Sequence, residues 1–416
     1  MIMRNTLIII LAVLARLTLV RYKPKVVCVT GNVGKTSAKD AITAVVAARF
    51  FVRKSEKNYN TEVGIPMTIL GMRPWGRNAP GWLWDALRAL FRLVWTRYPE
   101  VLVLEMGVDR PGEMDRLVKI VAPDIAVFTA SGGDMPVHVE FFEHPDALHA
   151  EKRKLAAAVK QGGTVVVNAD EAAWKPLRGK ADGMRRIAYG FSRDADVVLA
   201  QPDVRFDATR EPHIPLGITV KVQYNGSVLP MRLDGTVGAH GAYAAGAACG
   251  VGLVFGINLA DIAQALGRFV PPQGRLSVLA GVKGTVILDD TYNASPASTQ
   301  VALDTLRSLP GTRKLAVLGD MRELGGFSEE AHRTVGKCVS DVCDVAVLVG
   351  AHMKFAEDEL VKQGFVQGQN LFWYDTSAVA GEMLVRIIKE GDVILVKGSH
   401  SMHMEKVVER IRAAIV

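Results

Sequence analysis

Thr30-Gly31-Asn32-Val33-Gly34-Lys35-Thr36 is the stretch on which the fold turns. It follows Val26-Val27-Cys28-Val29-Thr30, an apolar, β-branched run suited to a buried strand, and it opens the helix-forming residues 37–48. Strand, glycine turn and helix in that order let backbone N–H groups converge on phosphate oxygens, and the helix N-terminus adds positive potential. Lys35 can then reach β- and γ-phosphates, and Thr36 can offer its hydroxyl to Mg²⁺. The usual GxxxxGK[ST] pattern asks for glycine at position 29, where this chain has Val29, so the loop is a GxxGKT variant. Its context predicts a nucleotide site made by Thr30, Gly31, Asn32, Gly34, Lys35 and Thr36.

Outward from the loop, apolar runs at 101–106, 125–129 and 164–168 alternate with helix-length segments, the pattern of βαβ units in a parallel sheet. Residues 218–224 and 227–233 alternate in polarity on either side of Asn225-Gly226, which predicts a hairpin and hence a small antiparallel element. A glycine- and alanine-rich helix is expected over 241–255, and Pro271-Pro272-Gln273-Gly274 reads as a linker. Beyond it, runs at 286–290, 315–319, 345–349 and 393–396 alternate again with helical stretches. The predicted class is α/β: a P-loop domain over 24–268 with a parallel sheet plus the antiparallel element, then a Rossmann-like α/β domain over 269–416, preceded by an apolar helix within 1–23.

A chain of 416 residues, 49% hydrophobic and 22% charged, has globular composition, which excludes disordered, collagen-like and coiled-coil architectures. The net charge of +7 is spread along the chain and by itself suits anionic substrates or a membrane surface as well as nucleic acid; taken with the motifs, no nucleic-acid partner is expected. Four cysteines without a CxxC pair argue against zinc and for a reducing, cytoplasmic setting. Residues 6–20 are mostly apolar but interrupted by Arg16; at 15 residues they make a helix of about 22 Å, short of a bilayer core. Two readings stand: a helix docked on the next domain, or an interfacial helix on an acidic leaflet. Segment 72–98, with four of the six tryptophans, reads either as an amphipathic helix covering a sheet or as a membrane-interface or partner helix.

Three further side chains matter only in company. Glu105 ends a strand on the side where open α/β sheets bind ligands, and a carboxylate there suits Mg²⁺. His138 follows the strand at 125–129, and Lys152 sits in a charged helix; alone, a histidine is more often structural and a lysine an exposed charge.

As a whole the pattern resembles the Mur ligase family, within it most closely the branch that joins D-alanyl-D-alanine to a UDP-N-acetylmuramoyl-tripeptide. The resemblance runs from about Lys23 to the C-terminus and is carried by Thr30–Thr36, Asn58–Pro66, Glu105-Met106-Gly107, His138, Lys152, Gly238-Ala239-His240, Gly274-Arg275, Asp289–Pro296, Gly319–Gly325 and Lys397-Gly398-Ser399. It implies an ADP-forming, peptide-bond-forming ligase of peptidoglycan-precursor synthesis, working through an acyl phosphate. It also implies ATP and Mg²⁺, with metal ligands Thr36, Glu105, His138 and a carbamylated Lys152. An ammonium at Lys152 would repel the cation, whereas a carbamate supplies two oxygens; forming it requires a neutral amine, so Lys152 is expected to be buried. Arg275 and Asp290 are implied to close over ATP, and Asn60, Asn293, Lys397 and Ser399 to hold substrate. The implied partners are a UDP-linked muramoyl peptide and D-alanyl-D-alanine. A cytoplasmic monomer is expected, with residues 6–20 and 72–98 as the segments that could bring it to the inner face of the membrane.

The sequence departs from the family at four places, one of them the Trp-rich segment 72–98, which is longer than the usual connection. About 23 residues precede the phosphate-loop domain where family members carry a uridine-nucleotide domain, Ala244 replaces an asparagine near the adenine, and His400 replaces an arginine after Lys-Gly-Ser. Two alternatives follow: an amide ligase on another substrate, such as a poly-γ-glutamate synthase, or a P-loop ATPase without ligation.

Overall fold

The computed structural model describes residues 2–56, 59–73, 81, 88, 97–133, 139–179, 183–207 and 214–413. Helix α1 spans Ile2–Tyr22, longer than the apolar run that announced it. Strands β1 (Lys25–Thr30), β2 (Val52–Lys54), β3 (Val101–Glu105), β4 (Ile125–Phe128), β5 (Thr164–Asn168), β6 (Arg185–Gly190), β7 (Val197–Leu199), β8 (Asp203–Phe206), β9 (Pro215–Tyr224) and β10 (Ser227–Asp234) form one sheet. Its order is β10-β9-β7-β6-β5-β4-β1-β3-β2, with β8 also on β9. The strands from β6 to β2 run parallel, and their centre is buried on both faces, so β1, β3, β4 and β5 are almost wholly apolar.

The predicted hairpin forms at Asn225 and Gly226, both in the left-handed region (φ 46° and 78°) that a two-residue hairpin turn requires. It is not a separate decoration: β9 pairs antiparallel with β7 and extends the main sheet. Helices α2 (Lys35–Val46) and Ala239–Val254 pack together on one face. Small residues allow their close approach, because a Cβ at Gly252 would meet Val45 and Ile262 at 2.9 and 2.8 Å. On the other face α1 packs on helix α3 (Gly64–Leu70), burying Leu11, Ala15 and Thr18, and Arg16 donates to the Lys119 carbonyl at 2.8 Å. No helix among the described residues is long and apolar enough to cross a membrane. Most of segment 72–98, including Trp75, Trp82, Trp84 and Trp95, lies outside the described residues.

The second sheet comprises β11 (Ser277–Ala280), β12 (Val286–Asp290), β13 (Arg313–Gly319), β14 (Val345–Val349), β15 (Leu371–Tyr374) and β16 (Asp392–Lys397) in the order β11-β12-β16-β13-β14-β15. All pairs are parallel except β11 with β12. In the first sheet β1 and β4 are neighbours whose chains leave their C-terminal ends in opposite directions, β1 toward β2 and β4 toward β5, which opens a crevice there. In the second, β12 and β16 run side by side and end together.

Candidate active site

The turn after β1 is tightly made. Gly31 (φ 145°) lies against β4, where a Cβ would sit 2.1 Å from the Thr129 hydroxyl; only glycine fits. Asn32 and Val33 donate backbone N–H groups to the Ala130 carbonyl, and the Thr129 hydroxyl donates to the Val33 carbonyl at 2.8 Å. The loop is thus sewn to β4, and α2 begins at its far side with its first N–H groups unpaired within the helix. The Thr30 side chain is buried and donates to the Met106 carbonyl at 3.1 Å, so it holds strands rather than facing the cleft.

A cleft of about 340 Å³ lies over this loop, between the C-terminal ends of the two sheets. Of the residues singled out in the sequence, Asn32, Gly34, Lys35, Asn60, Glu105 and Lys152 line it from the first sheet's side. Arg275, Asp290, Asn293 and Lys397 line it from the linker and the second sheet. Thr36 sits just beneath: its hydroxyl donates to the Glu105 carboxylate at 2.9 Å and receives an N–H from Arg275 at 3.0 Å. Arg275 also lies over the Tyr292 ring, 3.9 Å from its centroid, so one side chain joins both halves of the cleft. Asn60 packs on Gly107, where any Cβ would come within 2.7 Å of its amide.

Lys152 projects from the helix Pro145–Ala157 and is 1% exposed. Its amine donates to the Gly31 carbonyl at 3.0 Å and to the Asn32 side-chain oxygen. Burial holds its ammonium well below the ordinary lysine range; nearby Lys35 pushes the same way and Asp109 opposes. Lys35, whose amine reaches the Asn32 carbonyl at 3.2 Å, is likewise lowered by burial against the pull of Glu105. Across the cleft, in-register pairing of β12 with β16 sets Asp290 beside Lys397. The buried Lys397 amine binds the Asp290 carboxylate and the Asn293 carbonyl, the latter at 2.9 Å, while the other Asp290 oxygen accepts from the Leu276 N–H at 3.1 Å.

Ser399, like Thr30, stands apart from the rest of the expected set. Ser399 is buried outside the cleft, its hydroxyl accepting from the Arg322 N–H at 2.8 Å, because the chain turns inward after β16. His138 lies outside the described residues. Among those described, no three His, Cys, Asp or Glu side chains converge as a metal cage. A cation would therefore need phosphate or other oxygens alongside the Thr36–Glu105 pair, and that hydroxyl and carboxylate are the hard donors Mg²⁺ takes. The Asn32 amide nitrogen is buried without a hydrogen-bond partner.

Asp109, Tyr292 and His240 also line the cleft, without a role assigned from the sequence. His240 binds the Ser37 hydroxyl at 2.9 Å, beside Gly34, and burial lowers its pKa to about 4 despite the attraction of Asp290. Its G-x-H setting marked the position but not the function. Asp109 follows Glu105 by four residues on the loop leaving β3, and spacing alone does not separate it from a solvated acid.

Comparison with known proteins bears on this two-sided cleft. The Mur ligase middle domain matches residues 29–251, and the Mur ligase glutamate ligase domain matches residues 274–400. The chain belongs to the Mur ligase family. The UDP-N-acetylmuramoyl-tripeptide–D-alanyl-D-alanine ligase of Bacillus subtilis (strain 168) is 28% identical over 398 residues, covering 95% of this chain and 78% of that protein. Among solved structures, the MurF ligase from Thermotoga maritima in complex with ADP superposes with a TM-score of 0.77 at 26% identity, over 97% of this chain and 83% of that one. MurF from Acinetobacter baumannii gives 0.78 at 22% identity over 96% and 79%, a likeness of fold. The two matched domains of this Mur ligase family member meet at Gly274-Arg275, where the linker reaches the phosphate loop.

Proposed function

We propose that this chain is an ATP-dependent, ADP-forming peptide ligase that joins D-alanyl-D-alanine to a UDP-N-acetylmuramoyl-tripeptide in peptidoglycan-precursor synthesis. The observation that carries the reading is the buried Lys152 amine, held against Gly31 and Asn32 in a cleft shared with Arg275, Asp290 and Lys397. A P-loop ATPase without ligation gives that lysine no task. The names of the relatives supply the substrate pair, and the domain division 24–268 and 269–416 follows the same reading.

In the reaction a carboxylate oxygen of the tripeptide attacks the γ-phosphorus and ADP leaves. The amine of D-alanyl-D-alanine then attacks the acyl carbon and phosphate departs. Both steps gather charge on oxygens, so fixed donors and cations are the main source of acceleration. The first turn of α2 and Lys35 cradle the transferring phosphoryl group. Arg275 releases Thr36 to close on the triphosphate, with Asp290 toward the ribose. Asn60 steadies the carboxylate substrate, and Lys397 with the Asn293 backbone positions the incoming dipeptide, Ser399 bracing that turn from behind. Mg²⁺ would be held by Thr36 and Glu105, and a second ion by His138 and carbamylated Lys152; bound there, the ions neutralise phosphate charge. Lys152 is suited to carbamylation because burial favours its uncharged amine, the form that reacts with CO₂. The same reading takes the protein as a cytoplasmic monomer working at the inner face of the membrane.

The test is phosphate release with UDP-muramoyl-tripeptide, with and without D-alanyl-D-alanine, followed by mass spectrometry. Release that needs both substrates and a product heavier by one dipeptide are expected; hydrolysis indifferent to both would refute the assignment.

A further inference from the structure

Helix α1 is apolar on two sides, and the protein covers one of them. Leu11, Ala15 and Thr18 face inward, whereas Ile9, Ile10, Val13, Leu17 and Val20 are 47–70% exposed. At spacings of three and four these five make a continuous aliphatic stripe along the outer side of the helix. Docking on the domain and contact with a membrane were alternatives in the sequence; in the fold they use opposite sides of one helix.

The stripe runs into a cleft of about 590 Å³ at the C-terminal end of α1, lined by its Val20 and Leu19. The charged residues lining that cleft are Arg16, Lys23, Lys25, Lys119 and Lys160, against one acid, Asp124. Asp124 is already engaged by Lys160 at 2.8 Å, Lys25 at 3.4 Å and the Val26 N–H at 2.9 Å, so the cleft retains a positive excess. Lys23 takes a left-handed conformation (φ 47°) in the turn that brings β1 back under the helix, and its side chain is exposed there. The cleft lies at the N-terminal ends of β1 and β4, the sheet edge opposite the phosphate loop.

We propose that the outer stripe of α1 and the basic cleft beside it form one docking surface for a bilayer rich in anionic phospholipid. The aliphatic side chains enter the interfacial layer while the lysines meet lipid phosphates. Charge complementarity selects this occupant: a second copy of the chain would bring the same positive cluster against itself. The arrangement leaves the active cleft pointing away from the lipid, about 20 Å off across the six residues of β1. It deepens, and rests on, the inner-face placement above, and is independent of the ligase chemistry.

The experiment is co-sedimentation of the full chain with phosphatidylglycerol/phosphatidylcholine vesicles and with phosphatidylcholine vesicles, at low and high salt, alongside size-exclusion chromatography. Binding to the anionic vesicles, weakened by salt, is expected. The double variant Val13→Asp/Leu17→Asp should lower partitioning by about tenfold or more, and Lys23→Gln and Lys119→Gln by about fivefold apiece. All these positions are exposed, so unchanged melting curves are expected, and ADP formation from soluble substrates should be unaltered. Absence of binding, equal binding to neutral vesicles, or indifference to the stripe variants would overturn the proposal. So would a dimer that the stripe variants split without any vesicle binding. Loss of ligation with vesicle binding intact would count against the ligase assignment alone.

Discussion

Lys152 is the residue whose surroundings say most about its task. A lysine amine that is 1% exposed, beside a second cation, survives in the fold because the Gly31 carbonyl and Asn32 accept from it. Lys152→Ala should reduce ligation by on the order of 10²-fold or more while ATP still binds, measured by calorimetric titration beside product formation. Depleting CO₂ should reduce wild-type turnover, and bicarbonate should restore it; a variant with wild-type turnover would refute the role. His240 gives a second prediction. Its folded pKa of about 4 lies below the ordinary 6.5, so between those values the unfolded chain binds the extra proton and stability falls as pH falls. Because the ring is partly open to the cleft, the loss should be up to about 2 kcal/mol, seen in denaturant melts from pH 6.5 to 4 and absent in His240→Gln. Motif context could reach Lys35 and Glu105, which follow buried strands, whereas Lys152 was reached through the family resemblance, since a lysine in a charged helix reads by itself as an exposed charge. Motif context could not reach Asp109 or Tyr292, whose place in the cleft depends on how loops and domains come together.

At the scale of elements, long buried strands were readable and short edge strands were not. The runs at 164–168, 286–290 and 345–349 are strands over those same residues, because burial on both faces leaves unbroken apolar sequence. β2, β7 and β8 have three or four residues each and too little alternation to be seen. The hairpin was legible from Asn225-Gly226, but its union with the main sheet was not, since pairing of β9 with β7 is non-local. Helix α1 outran its apolar core at both ends, to Ile2 and Tyr22, because helix geometry tolerates the flanking polar residues once the inner side is docked. The glycine-rich helix Ala239–Val254 makes its own prediction. Gly252→Val would force side-chain atoms against Val45 and Ile262, destabilising the protein by about 1–3 kcal/mol, read as a lower melting temperature with unchanged substrate affinity at low temperature.

Across the whole molecule, Arg275 joins the two sheets: it reaches Thr36 on the phosphate loop and stacks on Tyr292 beyond the linker. Removing it should loosen the cleft. Arg275→Ala is expected to raise the KM for ATP by about tenfold and to speed limited proteolysis of the linker; unchanged values for both would show that the halves meet without it. The opposite ends of the first sheet carry different clefts, one over the phosphate loop and the basic one beside α1. Within the second sheet, Asp290 and Lys397 face each other only because two adjacent strands keep their alignment to the last residue. Inserting or deleting a single residue within β12 would swing the carboxylate to the reverse side of the sheet and strand a buried ammonium. Length here is therefore as strict a requirement as chemistry, and drift in this family member should be freer in what fills β12 than in how many residues do.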